Sequence, residues 1–274
     1  LSWYRDWADL PALRLGSLPY LNVKPLVYPF EHGSLPDRWD LVYATPAMLA
    51  EMLLDGRIDL APVSSFACLA NSQLSVIPDI CISSDGHVKS VLMLSKVPFD
   101  KVRTVAADTS SLSGQALLRI VLSELYGMSP EFVPKPPNIR DMLVNYDAAL
   151  IIGNPAMLYD KRGLYVLDLG DAWKRLTGLP AVFAVWAGVS RDGIAFSVDV
   201  LREAKNEGLS RIDEIAEEES RRLGLSVEEC RDYLTNTIRY NLGEREIESI
   251  RVFGKKAFEH GLINCEAEIK MFGG

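Results

Sequence analysis

The stretch VRTVAADTSSLSGQALLRIVLSEL, residues 102–125, decides how the rest of the chain is read. VRTVAAD is a short run of apolar and β-branched residues ending at Asp108, the pattern of a buried strand. TSSLSG is a hydroxyl-rich loop. QALLRIVLSEL then spaces Leu117, Leu118, Val121, Leu122 and Leu125 along one helical face. Strand, polar loop and amphipathic helix in that order form one half of a βαβ unit.

The alternation extends in both directions. Upstream, LRLGSLPYLN reads as a strand, PLVYPF as a short helix and WDLVYATP as a strand. AMLAEMLLDG places Met48, Leu49, Met52 and Leu53 on one helical face and stops at Gly56. RIDLAPVSS runs as a strand into SFACLA, and LSVIPDICISS and KSVLMLSKVP are further strands. Downstream come EFVPK, IRDMLVNY, AALIIGN, PAMLY and the apolar strand AVFAVWAGV. Everything after Ser197 is helical and highly charged. Strands alternating with helices at this spacing predict an α/β fold with parallel sheets.

Strand-like passages near residues 90–95 and 181–187 join two such units. The expectation is a two-lobed, periplasmic-binding-protein-like (type II) fold with a ligand cleft between the lobes. Lobe I comprises residues 1–92 and 187–274, with the C-terminal helices packed back on it, and lobe II comprises residues 93–186. Open α/β sheets bind ligands beyond the carboxyl ends of their strands, so the residues just after each strand are the candidates.

Composition limits the partners. Of 274 residues, 48% are hydrophobic and 24% charged, as in a water-soluble globular protein. No run of eighteen apolar residues exists to span a membrane, and LSWYRDWADLPALRL has no apolar core of a secretory signal. These features predict a cytoplasmic protein. Cys68, Cys81, Cys230 and Cys265 are scattered and fit free thiols in a reducing compartment. Three unclustered histidines give no metal site. A net charge of −8 with no basic patch argues against nucleic acid. An acidic chain that binds an anion must do so with local donors. Oligomeric state is not encoded in any visible pattern.

Five loops collect small polar side chains: Ser17 to Asn22 with Tyr20 between them, Ser64 and Ser65, Ser83 to His87, Thr109 to Ser113, and Gly153 with Asn154. In the fourth, Thr109, Ser110, Ser111 and Ser113 precede a helix whose first-turn N–H groups are free, which makes an anion cradle without a cation. Helix capping by Ser111 or Ser113 needs only one of those four hydroxyls. Asp85-Gly86 equally fits a tight turn, and Asn154 before Pro155 equally fits an N-cap. His87 reads as a surface residue, and Lys24 as either an attractor of anions or a solvated side chain. No Walker loop, GxGxxG, GxSxG or carboxylate pair is present. From the residues alone the chain is a two-lobed binder of a small anion, and binding and chemistry are not separable.

Read together, GSLPYLNVKPL, ISSDGHVKSVLMLS, DTSSLSGQALLRIVL, ALIIGNPAM, DLGDAWKRLTGLPAVFAVWAG and RYNLGEREIESIRVFGKKAFEHGLI closely resemble the chorismate dehydratases of the futalosine route to menaquinone. The likeness runs from about Leu13 to Ile263. It implies a solute-binding-protein fold recruited as a cytoplasmic lyase that converts chorismate to 3-[(1-carboxyvinyl)oxy]benzoate without metal or organic cofactor. It further implies catalytic roles for Asn22 and Ser84, with Asn22 bonding the substrate near the reacting centre as an amide that does not titrate. Ser17, Tyr20, Ser64, Gly86, Thr109, Ser110, Ser111, Ser113 and Asn154 are then the expected substrate-binding residues. Three positions depart from the family pattern. Asn154 stands where aspartate is expected, Leu112 where arginine is expected, and Ala181 where phenylalanine is usual. The alternatives are a non-catalytic intracellular binder of a small carboxylate and the sister 1,4-dihydroxy-6-naphthoate synthase, which lacks the YLNxKPL opening.

Overall fold

The computed structural model describes residues 12–33, 39–189 and 197–272. The amino-terminal stretch read above for a secretory signal therefore lies almost wholly outside the described residues.

The described residues build two sheet layers, the first made of two ladders joined by an isolated bridge. In the first, β1 (Leu13–Ser17) pairs in parallel with β2 (Trp39–Tyr43) and bridges through Leu15 to Leu60, just before β3 (Ala61–Ser64). The neighbouring ladder runs in the order β11 (Lys270–Met271), β4 (Leu74–Ser84), β10 (Ala181–Val189), β3. The second sheet has the order β7 (Glu131–Lys135), β6 (Thr104–Asp108), β8 (Ala148–Ile152), β5 (Val91–Ser95), β9 (Tyr165–Asp168). The expected lobe boundaries at 92/93 and 186/187 fall inside β5 and β10. Pairing keeps each strand whole: β5 joins β8 and β9, whereas β10 joins β3 and β4.

Neither sheet is purely parallel. β6 pairs in parallel with β7 and β8, but β5 runs antiparallel to β8 and β9, and β10 antiparallel to β3 and β4. The two strands that carry the chain between sheets are thus the reversed ones. β9 was not anticipated: it is four residues long, half-exposed and at a sheet edge, so it lacks the apolar run that marks a buried strand.

Helices cover both sheets. α1 (Lys24–Glu31), α2 (Pro46–Leu54) and α3 (Ser65–Ala70) belong to the first sheet. α2 buries Pro46, Leu49, Ala50 and Leu53, while Met48, expected on that face, is half exposed. α4 (Leu112–Tyr126) buries Leu117, Leu118, Ile120, Val121 and Leu122, each contributing roughly 1.5–3 kcal/mol if fully exposed on unfolding. Gly127, with φ +64°, closes α4 in the left-handed conformation. α5 (Ile139–Asn145), α6 (Asn154–Leu158) and α7 (Leu169–Thr177) complete that layer.

After β10 come α8 (Ser197–Ser210), α9 (Ile212–Leu223), α10 (Val227–Asp232), a π-helical turn at Tyr233–Thr237 and α11 (Glu244–Glu259). α8 lies against α1 so closely that a Cβ on Gly208 would meet the Pro25 carbonyl at 1.8 Å. After the π turn, Arg239 and Tyr240 bond to β4 through Ser83 and Cys81. The carboxy-terminal helices therefore close over the first sheet. α11 also reaches the second sheet's layer, where Lys256 and His260 meet Glu124 of α4.

Candidate functional site

Between the two sheets lies a cleft of about 510 Å³, counted to its open mouth and including open solvent. Its apolar walls include Leu18, Ile82, Leu112, Ile152 and Phe183. Its polar groups are Tyr20, Asn22, Ser64, Ser90, Ser111 and Ser113. Among the described residues, no lysine, arginine or histidine lines it.

Asn22 occupies a one-turn 3₁₀ helix, Leu21–Val23, between β1 and α1. Its Oδ1 is buried and has no hydrogen-bond partner. The loop carrying it is held from the other lobe. Asn154 Oδ1 accepts the Leu21 N–H at 2.9 Å, and its Nδ2 donates to the Pro19 carbonyl at 3.3 Å. Asn154 is buried outside the cleft lining, and Gly153 occupies the N-cap position of α6. Gly153 itself sits at φ +69° against the Tyr20 ring, where a Cβ would come within 2.5 Å of Cδ1. Burial raises the Tyr20 phenol pKa, with the Ser110 hydroxyl opposing the shift.

Ser90 precedes β5 and is fully buried. Its hydroxyl accepts a 2.7 Å bond from Tyr233 Oη, and its carbonyl accepts the Gly153 N–H at 2.7 Å. The loop leading to it is fixed by Asp168, which caps α7 through Gly170 and Asp171 and accepts the Val88 and Lys89 amides at 3.0 and 2.8 Å.

Ser84 lies elsewhere. Its Oγ donates to the Gly86 carbonyl at 2.9 Å, and both atoms press on Gly170 at the start of α7. Neither Ser84 nor Gly86 lines the cleft. Strand β4 lines the cleft with Ile82 and ends at Ser84, and the chain returns to the lining only after a turn, at Ser90.

The hydroxyl loop divides into different environments. Ser113 bridges the lobes, 2.5 Å from Ser64 Oγ and 3.2 Å from both Ser65 Oγ and the Phe66 amide. Ser111 is at the N-cap position but makes no side-chain cap bond. A Cβ on Gly114 would fall 2.3 Å from Ser111 Oγ, so glycine is what lets that hydroxyl lie over the first turn. Ser110 lies behind the lining and donates to Asp108 Oδ1 at 2.5 Å. Asp108 is buried, which raises its carboxyl pKa despite the Ser110 donors. Thr109 is exposed with its amide bound to the Lys135 carbonyl, and Ser17 is buried with its hydroxyl turned to the Leu18 carbonyl. Lys24 is turned away into an ion pair with Glu31 at 2.8 Å, near Glu219 at 3.5 Å.

Of the residues expected from sequence, Tyr20, Asn22, Ser64, Ser111 and Ser113 converge on one cavity. Ser17, Ser84, Gly86, Thr109, Ser110 and Asn154 stand outside its lining. Sequence reasoning passed over Ser90 and Tyr233. Ser90 begins an antiparallel strand, so its cleft-facing end is the amino end; looking only past carboxyl ends of strands misses it. Tyr233 lies 211 positions after Asn22 and carries no local signal beyond the π-helical turn that starts with it.

Chemically, the cleft offers neutral hydroxyls, one amide and the free first-turn N–H groups of α4. That set suits an anion bearing hydroxyl or ether oxygens. A helix N-terminus favours a nearby negative charge by about 0.3–1 kcal/mol, rising to about 2 when partly buried.

A family described as menaquinone biosynthesis matches residues 13–259 of this chain. A protein named chorismate dehydratase from Thermus thermophilus is 33% identical over 260 residues, covering 88% of this chain and 93% of its own. Among solved structures, a protein of Archaeoglobus fulgidus aligns with a TM-score of 0.77 at 20% identity, covering 92% of this chain and 98% of that one. The periplasmic aliphatic sulphonate binding protein of Escherichia coli aligns at 0.66 and 19% identity, covering 94% and 96%. The two structures establish a periplasmic-binding-protein-like fold.

Proposed function

The chain belongs to the menaquinone biosynthesis family, and from that membership we propose that it is a chorismate dehydratase, a lyase forming 3-[(1-carboxyvinyl)oxy]benzoate and water. The observation that carries this reading is the cleft that brings Asn22 together with Ser90, Ser111 and the start of α4.

Chorismate is a dianion with two carboxylates, a ring hydroxyl and an enolpyruvyl ether. Dehydration breaks the C–H bond at the ether-bearing ring carbon and the C–O bond of the neighbouring hydroxyl. The C–H electron pair becomes the last ring double bond, and proton and hydroxide leave together as water. Aromatisation drives the reaction, and no redox partner is required. The protein need supply orientation and modest help with proton movement.

One carboxylate is held by the first-turn amides of α4 and the Ser111 hydroxyl, with Leu112 contributing an apolar wall instead of a guanidinium. Asn22 and Ser90 flank the reacting centre. We assign to Ser90 the part expected of Ser84, because Ser90 shares the cavity with Asn22 whereas the Ser84 hydroxyl is bonded to Gly86. Among the described residues the lining holds no carboxylate or histidine to act as base, which favours proton removal by the substrate's own side-chain carboxylate. The buried Asp108 stands behind Ser110 rather than in the lining.

We place the reaction in the cytoplasm, in the futalosine branch of menaquinone synthesis. No helix among the described residues is long and apolar enough to cross a membrane. The test is to incubate the purified protein with chorismate and separate the products by chromatography with ultraviolet detection. A new 3-[(1-carboxyvinyl)oxy]benzoate peak is expected. Bound but unchanged chorismate would instead favour a non-catalytic binder, and conversion only of a cyclic futalosine-derived substrate would favour the naphthoate synthase.

A further inference from the structure

Between the end of β4 at Ser84 and the start of β5 at Val91, the chain crosses from one sheet layer to the other and brings Ser90 into the cleft lining. The residue before Ser90 is Lys89, and its φ is +62°. In that conformation the Cβ of an L-residue crowds the following carbonyl, so a lysine does not rest there unaided. Among the described residues only Asp79 and Lys89 are non-glycine residues with positive φ. Contacts from outside the turn must hold Lys89 in place.

Asp168 makes those contacts. Its Oδ2 accepts the Lys89 N–H at 2.8 Å, and the Val88 N–H is shared between Oδ1 and Oδ2 at 3.0 and 3.1 Å. Two successive amides converging on one anion are the mark of a backbone curled around it, with the second residue left-handed. Oδ1 also accepts the Gly170 and Asp171 amides at 2.9 and 3.2 Å, so the turn and the start of α7 are fastened to one carboxylate. Past the turn, Ser90 is gripped from two sides. Its hydroxyl accepts from Tyr233 Oη and its carbonyl accepts the Gly153 N–H, each at 2.7 Å. Both contacts depend on the direction in which the chain leaves Lys89.

We propose that Asp168 is a positioning residue for the reaction: its carboxylate curls the Val88–Lys89 backbone into a left-handed turn, and that turn delivers Ser90 to the cleft. This rests on the dehydratase reading and on the place of Ser90 beside the reacting centre. Asp168 is not among the cleft's lining residues and acts only through the turn. Both of its oxygens are used, whereas an asparagine keeps one acceptor and turns an NH₂ group on the amides facing the other.

The test uses the full chain with Lys89→Gly and Lys89→Val. Both variants remove the ammonium from its 2.8 Å ion pair with Asp232, and both keep the α7 cap. They differ in how readily residue 89 takes a positive φ, which glycine does freely and a β-branched residue resists. Lys89→Val is expected to lower kcat at least about tenfold relative to Lys89→Gly, with KM within about threefold. Asp168→Asn should lower kcat at least about tenfold in the parent but no more than about threefold on top of Lys89→Gly, where the turn no longer needs holding. Equal kcat in the two Lys89 variants overturns the proposal. So does an Asp168→Asn loss that Lys89→Gly does not relieve, the result expected if Asp168 only caps α7.

A second readout needs no substrate. Ile152–Gly153 is the one Ile-Gly pair in the sequence, so carbonyl-¹³C isoleucine with ¹⁵N-glycine isolates the amide that bonds the Ser90 carbonyl. Its exchange with solvent should be at least about tenfold faster in Lys89→Val than in Lys89→Gly. Equal protection overturns the proposal whether or not chorismate is the substrate. A difference in exchange together with a parent inactive on chorismate leaves the delivery of Ser90 standing and counts against the dehydratase reading alone. Should Asp168→Asn fold poorly, the two Lys89 variants still decide, because neither touches the cap.

Discussion

At the scale of single residues, the cleft is chosen by what its side chains are already bonded to. Ser84 and Ser90 are both buried serines, yet Ser84 spends its hydrogen on Gly86 and Ser90 receives one from Tyr233. Ser90→Ala should therefore lower turnover of chorismate by about a hundredfold, in the range of a positioned proton-transfer or donor group. Ser84→Ala should change turnover less than about threefold and register mainly in thermal stability. Equal losses in a steady-state assay of the two variants would contradict the assignment. Asn22 was legible through the family resemblance that GSLPYLNVKPL helps to carry. Ser90 and Tyr233 were not, since the first looks like any serine before a strand and the second meets the site only through tertiary packing.

At the scale of elements, alternation of apolar runs and amphipathic helices revealed almost every strand and helix that positions the site. What it could not reveal was direction. β5 and β10 read as ordinary apolar strands, and their reversal follows from being the connections between sheets. The second sheet depends on a similarly hidden strut. Asp147, just before β8, accepts the Arg103 and Thr104 amides at 2.9 and 3.0 Å and so pins the start of β6. The Arg103 amide, helped by the Thr104 amide and hydroxyl, lowers the Asp147 pKa below the ordinary aspartate value against the opposing effect of burial. The native state thus binds protons less readily than the unfolded chain. The stabilisation is fully present above the ordinary aspartate pKa and is lost as pH falls through the lowered native value. Asp147→Asn should lower the unfolding midpoint at neutral pH and flatten its decline in acid. Thermal melts of both proteins from pH 7 down to about pH 3 read this out, and parallel curves would refute it.

At the scale of the whole molecule, neutral polar contacts around the cleft join the lobes alongside ion pairs such as Lys256–Glu124. The Ser64–Ser113 bond and the Asn154 clasp on the Pro19–Leu21 loop both cross between them. Asparagine at position 154 can accept from Leu21 and donate to Pro19 at once, which an ionised aspartate cannot. Asn154→Ala leaves the Leu21 amide without its acceptor, at a cost of about 1–3 kcal/mol. For a chain of this size that is a fall of about 2–4 °C in Tm per kcal/mol, measurable by calorimetry; an unchanged Tm would mean that the clasp contributes nothing. The two-lobed architecture was visible in the sequence as two alternating units joined by two passages. The clasp was hidden, because Asn154 before a proline is indistinguishable from a helix cap until the other lobe is in place. The most direct test of the whole account is turnover of chorismate by the parent protein and by Asn22→Ala, measured side by side as formation of 3-[(1-carboxyvinyl)oxy]benzoate. The account predicts conversion by the parent and a loss of at least about a hundredfold in the variant. Product formed at similar rates by both would contradict the site, and none formed by the parent would contradict the function.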